Sequence, residues 1–420
     1  MIIEKIKELK ISGSIAVLIS LFMPLFPKLL PILLIFLFLS LAFEFKNLKY
    51  HKEFKVMTWL FALTYLFYFF GLLVSNHISD GLFILQLKLS FLVLPLFFLF
   101  HGPFHISTVR KILYAFVFGC FVNSILCLNK GIHCYLETGW WECFFSSYFS
   151  YGFHTTYLSI YYCFSILIII YFLINYISRM RIWIIIALFF LLFYFVGFVL
   201  LLSSKGGLIA LITVILVSAI YFIYKKGSRR SAIFALLGLF SLGCIGFFTS
   251  EVIRSRIQNA IVVYQLSTEE LFEKHRESTE STEVRLMIWH VTNEQIKRHP
   301  FGVGTGDAKY ILLENYKAYG MTGAYQGNLN CHNQFLETTL AIGIHGLIVL
   351  IVFLIYVLTK AIRSRNFLLL WIAVIIILNL FFESMFETQA GVIFFVFFTG
   401  LLLTSVPEVI PVSPEENEKN

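Results

Sequence analysis

Apolar runs of roughly membrane-spanning length, separated by short polar turns, dominate the chain. A helix needs about 20 mostly apolar residues to cross some 30 Å of hydrocarbon, and on that criterion the pattern predicts spans at 11–26, 29–45, 56–74, 82–100, 112–128, 156–175, 182–202, 206–224, 232–249, 338–359, 367–382 and 389–406. The fold class expected is an all-α polytopic membrane protein of about twelve transmembrane helices with one long extracytoplasmic helical loop. Nine spans fill 1–249, the loop is 250–337, three further spans fill 338–406, and 407–420 is a cytoplasmic tail. Loop 129–155 is the other long connection.

Within loop 250–337, Ser267-x-x-Glu270 is a capping box. A helix is predicted from Thr282 to Arg298, stopped ahead of Pro300 because a residue preceding proline disfavours helical geometry. A second is predicted with Asp307 as N-cap and Gly320 as C-cap. Two helices packed over the membrane make too small a unit to be an independent domain.

Composition changes the picture little: 59% of the 420 residues are hydrophobic and 13% charged, with a mean hydropathy of +0.84, which excludes a soluble globular chain. The net charge of +8 does not signal nucleic acid, because its placement follows the membrane. With the N-terminus inside, the cytoplasmic segments hold Lys5, Lys7, Lys10, Lys46, Lys49, Lys52, Lys55, Arg110, Lys111, Arg179, Arg181, Lys225, Lys226, Arg229, Arg230, Lys360, Arg363, Arg365 and Lys419. The short outer turns hold Lys28, Lys130 and Lys205. This asymmetry orients the chain with both termini cytoplasmic. The basic start Met1 to Lys10, leading into two successive apolar runs, reads as a retained signal anchor. Cys134 and Cys143 share an outer loop where a disulfide is allowed, and spacing leaves open whether they form one.

Candidate chemistry gathers on the outer face. The glycines of GVGTGD (Gly302, Gly304, Gly306) match neither dinucleotide nor phosphate-loop templates, so they read as a turn placing two helices. His332 lies at a helix start near Asn333, where the unpaired N–H groups act as partial positive charge and favour the neutral imidazole that a general base requires. Arg285 and Trp289 share a helix face at i,i+4. Lys205 stands in Ser203-Ser204-Lys205-Gly206-Gly207 at the mouth of two spans, where a snorkelling lysine is the plain alternative. Two cations beside a neutral imidazole suit a reaction with a diphosphate leaving group. Lys88, just inside span 82–100, is a functional candidate as an intramembrane charge. Glu383 and Glu387 fit pairing with a loop arginine or orientation of an acceptor. His154 and Tyr157 in FHTTYLS fit either a cavity lining or an interfacial belt.

Taken in order, Ser204-Lys205-Gly206, Arg285-x-x-x-Trp289, His299-Pro300-Phe301-Gly302-Val303-Gly304, His332-Asn333 and Gly343-Ile344-His345-Gly346, with FHTTYLS and ESMFETQAGV, make the chain similar to the O-antigen ligase family, which is related to O-antigen polymerases and bacterial O-oligosaccharyltransferases. The similarity runs from about residue 80 to 405. It implies a bacterial inner-membrane, metal-independent, inverting glycosyltransferase of lipopolysaccharide biosynthesis, with no cofactor and no ATP. Its donor would be a glycan on undecaprenyl diphosphate, its acceptor the lipid A core, and its site periplasmic among membrane lipids. By resemblance His332 is the base and Arg285 a donor-diphosphate contact. Lys205 stands where such proteins commonly carry arginine, so a bidentate phosphate contact is replaced by a point charge. A polymerase extending the same lipid-linked glycan and a flippase for it are the alternatives.

Overall fold

The computed structural model describes residues 11–44, 48–226, 265–279 and 282–404, with a few positions between 254 and 263. Predicted span 232–249, tail 407–420, the first ten residues with Lys5, Lys7 and Lys10, and Lys46, Arg229 and Arg230 lie outside the described residues. Among those described, every regular element is helical: α1 (Ile11–Phe22), α2 (Leu30–Phe43), α3 (Lys55–Leu73), α4 (Ile78–Lys88), α5 (Ser90–His101), α6 (Ile106–Thr138), α7 (Thr155–Tyr176), α8 (Ile182–Leu202), α9 (Lys205–Lys226), α10 (Thr268–Lys274), α11 (Thr282–Arg298), α12 (Ala308–Ala318), α13 (Thr322–Gln326), α14 (Gln334–Arg363), α15 (Phe367–Leu380) and α16 (Gln389–Leu402). Among the described residues seven membrane-length apolar stretches occur, with α4 and α5 together forming one of them, and four shorter apolar helices accompany them. The chain is a multi-pass membrane protein.

Burial sorts helices that composition does not. Both α7 and α8 are apolar all round, yet α7 is 94% buried across its most apolar stretch and α8 only 28%. Helix α7 contacts α6, α8, α9 and α15, and α16 is likewise buried along its length, so these two form the axis of the core while α8 turns its Phe and Ile side chains to lipid.

Several boundaries differ from the periodicity. Span 82–100 is two helices, interrupted at Leu89. Span 112–128 extends to Ile106–Thr138, well past the apolar run. The last long span begins at Gln334 and is broken at Gly343 (φ 77°, ψ −178°). That break has a partner: Val303 N donates to Leu340 O at 2.8 Å, Gly304 N to Ala341 O at 3.1 Å, and Ile344 N to Pro300 O at 3.0 Å. Carbonyls released by the break thus remain satisfied, as burial requires. A side chain on Gly343 would place its Cβ 2.5 Å from Phe301 C, and one on Gly302 2.6 Å from Gly343 N. The two glycine motifs are therefore one joint, in which the Pro300–Gly304 turn fills the kink of α14.

Between 265 and 333 the chain forms four helices, the one opened by the Ser267–Glu270 capping box, the two predicted to pack over the membrane, and the short α13 that the sequence did not announce. Helix α11 has the predicted bounds, and α10 carries the complete Ser267–Glu270 capping box. Asp307 precedes α12 but its side chain does not cap it. Its Oδ2 accepts from Asn76 N (2.8 Å) and Asn76 Nδ2 (3.2 Å), and its Oδ1 from His77 N (2.9 Å). The local rule lost to a tertiary one: two backbone donors in the α3–α4 turn compete better for the carboxylate. Gly320, expected as C-cap, lies just beyond Tyr319 with φ 68°. Val284, Met287, Ile288 and Val291 of α11 share an apolar cluster with Leu72, Leu85, Leu340 and Ile342, so this region is continuous with the bundle.

Candidate functional site

The N-termini of α7, α9 and α14, the helix α11 and the α15–α16 turn meet at one end of the bundle. Helix directions put this end opposite Arg110 and Lys111 at the start of α6 and Lys360 and Arg363 at the close of α14.

At its centre is Glu383, whose side chain is 6% exposed. Its Oε1 lies 3.3 Å from His332 Nδ1, and its Oε2 lies 3.8 Å from Arg285 Nη2 and 4.0 Å from His154 Nδ1. Burial pushes the Glu383 carboxyl up, but the hydrogen bond with His332 and the charges of His332, His154 and Arg285 outweigh it and hold the group below its ordinary range. A carboxylate only accepts, so the bond at Oε1 puts the proton on His332 Nδ1 and leaves Nε2 as the acceptor nitrogen.

His332 adopts a left-handed backbone (φ 45°), a conformation that costs a β-carbon residue about 1–2 kcal/mol and is found preferentially where function constrains the chain. Neighbours fix it. His332 N donates to Asn330 Oδ1 at 3.0 Å, and Asn333 caps α14, its Oδ1 accepting from Phe335 N and Leu336 N. Asn333 thus satisfies the first free N–H groups of the helix, and the group beside His332 is the Glu383 carboxylate.

The α15–α16 turn is tied to the same segment. Asn333 Nδ2 donates to Phe381 O (3.2 Å), Asn333 N to Ser384 Oγ (3.2 Å), and Phe386 N to Gln334 Oε1 (2.6 Å). Glu337 Oε2 accepts from Cys331 N at 2.9 Å, and Trp289 Nε1 donates to Cys331 O at 2.9 Å. Trp289 is thus partly buried against the His332 segment. Tyr157 is buried, its hydroxyl donating to Ser384 O at 3.4 Å.

Lys88 is also here, but fully buried: Nζ donates to Glu387 Oε1 at 2.7 Å and to Phe386 O at 2.8 Å, and stands 4.2 Å from the Tyr68 ring centroid. It grips the turn from beneath and presents no surface to a substrate. Glu387 Oε1 also accepts from Gln334 Nε2 at 3.2 Å. The two turn carboxylates therefore part company, Glu383 facing the His–Arg cluster and Glu387 the buried lysine.

Lys205 begins α9 and its Nζ donates to Thr282 Oγ1, three residues before Arg285 and hence on the same side of α11. The glycines after it are required by space: a Cβ on Gly206 would lie 2.4 Å from Asn379 Oδ1, and one on Gly207 2.4 Å from Ser159 Cβ. Close packing of α9 on α7 and α15 sets Lys205 at the mouth.

All ten candidate polar and aromatic residues singled out in the sequence, Glu387 among them, come to this end. Glu383 as partner of His332, and the supports Gln334, Glu337, Ser384 and Thr282, were not legible as such. Glu383 carried a signal, as an acid in an outer turn, but its partner is 51 residues away. Among the described residues no group of three or more His, Cys, Asp or Glu side chains is arranged to hold a metal ion.

Residues 190–351 match the family model described as O-Antigen ligase. The chain is also similar to proteins with provisional polysaccharide-ligase names from Rickettsia felis (34% identical) and Rickettsia conorii (33%), each over 113 residues, 26% of this chain. These matches span 28% and 27% of the two relatives, little more than a quarter of their length. The family segment contains Lys205, Arg285, Trp289, His332 and Asn333; Lys88, His154, Tyr157 and Glu383 lie outside it.

Proposed function

We propose that this chain transfers a glycan from undecaprenyl diphosphate to a hydroxyl of the lipid A core, as an inverting, metal-independent glycosyltransferase of the O-antigen ligase type at the periplasmic face of the inner membrane. The observation that carries the reading is the convergence of His332, Arg285 and His154 on the buried Glu383, with Lys205 held to the same helix as Arg285.

His332 Nε2 takes the proton of the acceptor hydroxyl. The acceptor oxygen forms a bond to the anomeric carbon as that carbon's bond to the diphosphate oxygen breaks, the electron pair leaving on the diphosphate with inversion. Glu383 orients the imidazole and stabilises the imidazolium formed on proton uptake, the role a carboxylate takes in a base–orienter pair. Arg285 and Lys205 offset the charge accumulating on the leaving group. His154 and Tyr157 border the acceptor side, Trp289 and Asn333 hold the His332 segment, and Lys88 positions the turn that bears Glu383. Orientation of this end toward the periplasm is supported by the Lys and Arg asymmetry of the short loops.

The test is to incubate purified protein in lipid nanodiscs with undecaprenyl-diphosphate glycan and lipid A core, then identify products by mass. A core–glycan conjugate with release of undecaprenyl diphosphate is expected. A lengthened lipid-linked glycan would mean a polymerase instead, and donor movement across the bilayer with no new glycosidic bond a transporter.

A further inference from the structure

Helix α6 outruns the membrane. Its 33 residues measure about 50 Å at 1.5 Å per residue, against roughly 30 Å of hydrocarbon. With Arg110 and Lys111 marking the interface near its start, about its last two turns stand clear of the lipid tails, at the end of the bundle that carries His154 and Glu383. Side chains there agree. His133 and Glu137 pair at 3.3 Å while 73% and 65% exposed, and Lys130 donates to Ser147 O and Ser150 O, groups that lipid tails would not solvate.

On this raised tip the chain reverses through Gly139, in left-handed conformation, and the Cys134–Cys143 disulfide closes the reversal. Trp140, Trp141 and Tyr148 are left 60%, 67% and 57% exposed. A cluster of exposed aromatic side chains rimmed by polar groups marks a site of interaction. Trp140, Glu142, Cys143 and Tyr148 line an open depression of about 350 Å³, within the usual size range of small-molecule sites and with room for one or two sugar rings. Aromatic faces pack against the C–H faces of a pyranose, and a carboxylate accepts charge-assisted hydrogen bonds from sugar hydroxyls. The disulfide holds one wall before any ligand arrives, which lowers the ordering cost of binding.

We propose that this cup is a glycan-binding subsite, holding sugars of the donor chain away from the reacting end. The identity of the sugar as the donor's rests on the function proposed above; the cup's chemistry does not.

The test is isothermal titration of the full-length protein in nanodiscs with oligosaccharide released by mild acid from the source cells' lipid-linked glycan. Saturable binding is expected, weakened tenfold or more in Trp140→Ala and Tyr148→Ala, kept in Trp140→Phe, and unchanged in Trp183→Ala, a control at the opposite end. Absence of saturable binding, or equal affinity in wild type and the two alanine variants, overturns the proposal. So does quenching of Trp140 fluorescence by brominated lipid to the extent seen for Trp183, which would make the tip an interfacial anchor. Normal oligosaccharide binding together with full transfer by His332→Ala would remove the proposed function and leave the cup. Loss of transfer in His332→Ala with no binding of oligosaccharide to wild type would do the reverse.

Discussion

Glu383 Oε1 lies 3.3 Å from His332 Nδ1, joining the α15–α16 turn to the residue that enters α14. A buried carboxylate on one imidazole nitrogen leaves the other free to accept a proton, and in the proposed function this pair acts as a base and its orienter. Replacing His332 by alanine should reduce transfer by about 10²–10⁴-fold, the usual contribution of a positioned general base. Glu383→Gln, which keeps shape and loses charge, should lower kcat with little change in the KM for donor. Full activity in either variant, in membranes holding normal amounts of folded protein, would remove that residue from the proton path.

The same pair sets an acid limit. Glu383 is held below its ordinary value of 4.5, so its contribution to stability is fully present above about that pH and is lost as pH falls through the lower folded value. Thermal unfolding in nanodiscs between pH 7 and 3 should therefore show a steeper loss of Tm in wild type than in Glu383→Gln below pH ~4.5. Parallel curves would mean that Glu383 titrates as it does in the unfolded chain.

Lys205 supplies charge from a different helix. Lys205→Arg should retain most activity and Lys205→Ala should lose about tenfold or more, since removing a charge-assisted contact costs roughly 1.5–3 kcal/mol. The loss should appear against the diphosphate donor rather than the acceptor. Equal rates for the two variants would reduce Lys205 to a structural partner of Thr282.

In the proposed function Lys88 is a positioning residue. Lys88→Met takes the buried ammonium from Glu387, which keeps only its bond from Gln334, and from Phe386 O, and breaking a buried pair from one side costs about 3–5 kcal/mol. Lowered Tm and lowered transfer are expected together, with partial recovery of both in Lys88→Met/Glu387→Gln. A single variant with wild-type Tm but no transfer would instead give Lys88 a direct part in the reaction.

The hydrophobic pattern alone located α3, α7, α8, α9, α15 and α16 and, through Pro300 and the Ser267–Glu270 box, the end of α11 and the start of α10, because helix periodicity and capping are local physics. Motif order pointed to Lys205, Arg285 and His332 before any geometry. Side-chain chemistry could not say that Asp307 leaves its helix for the Asn76–His77 turn, nor that Glu383 serves His332 while Glu387, four residues on, serves Lys88. Those choices depend on which donors the fold brings within reach, and competing partners there lie 51 or more residues away. Nor could composition tell buried α7 from lipid-facing α8, since lipid is as apolar as a protein core. Only the packing of neighbouring helices decides which of two apolar helices becomes the axis.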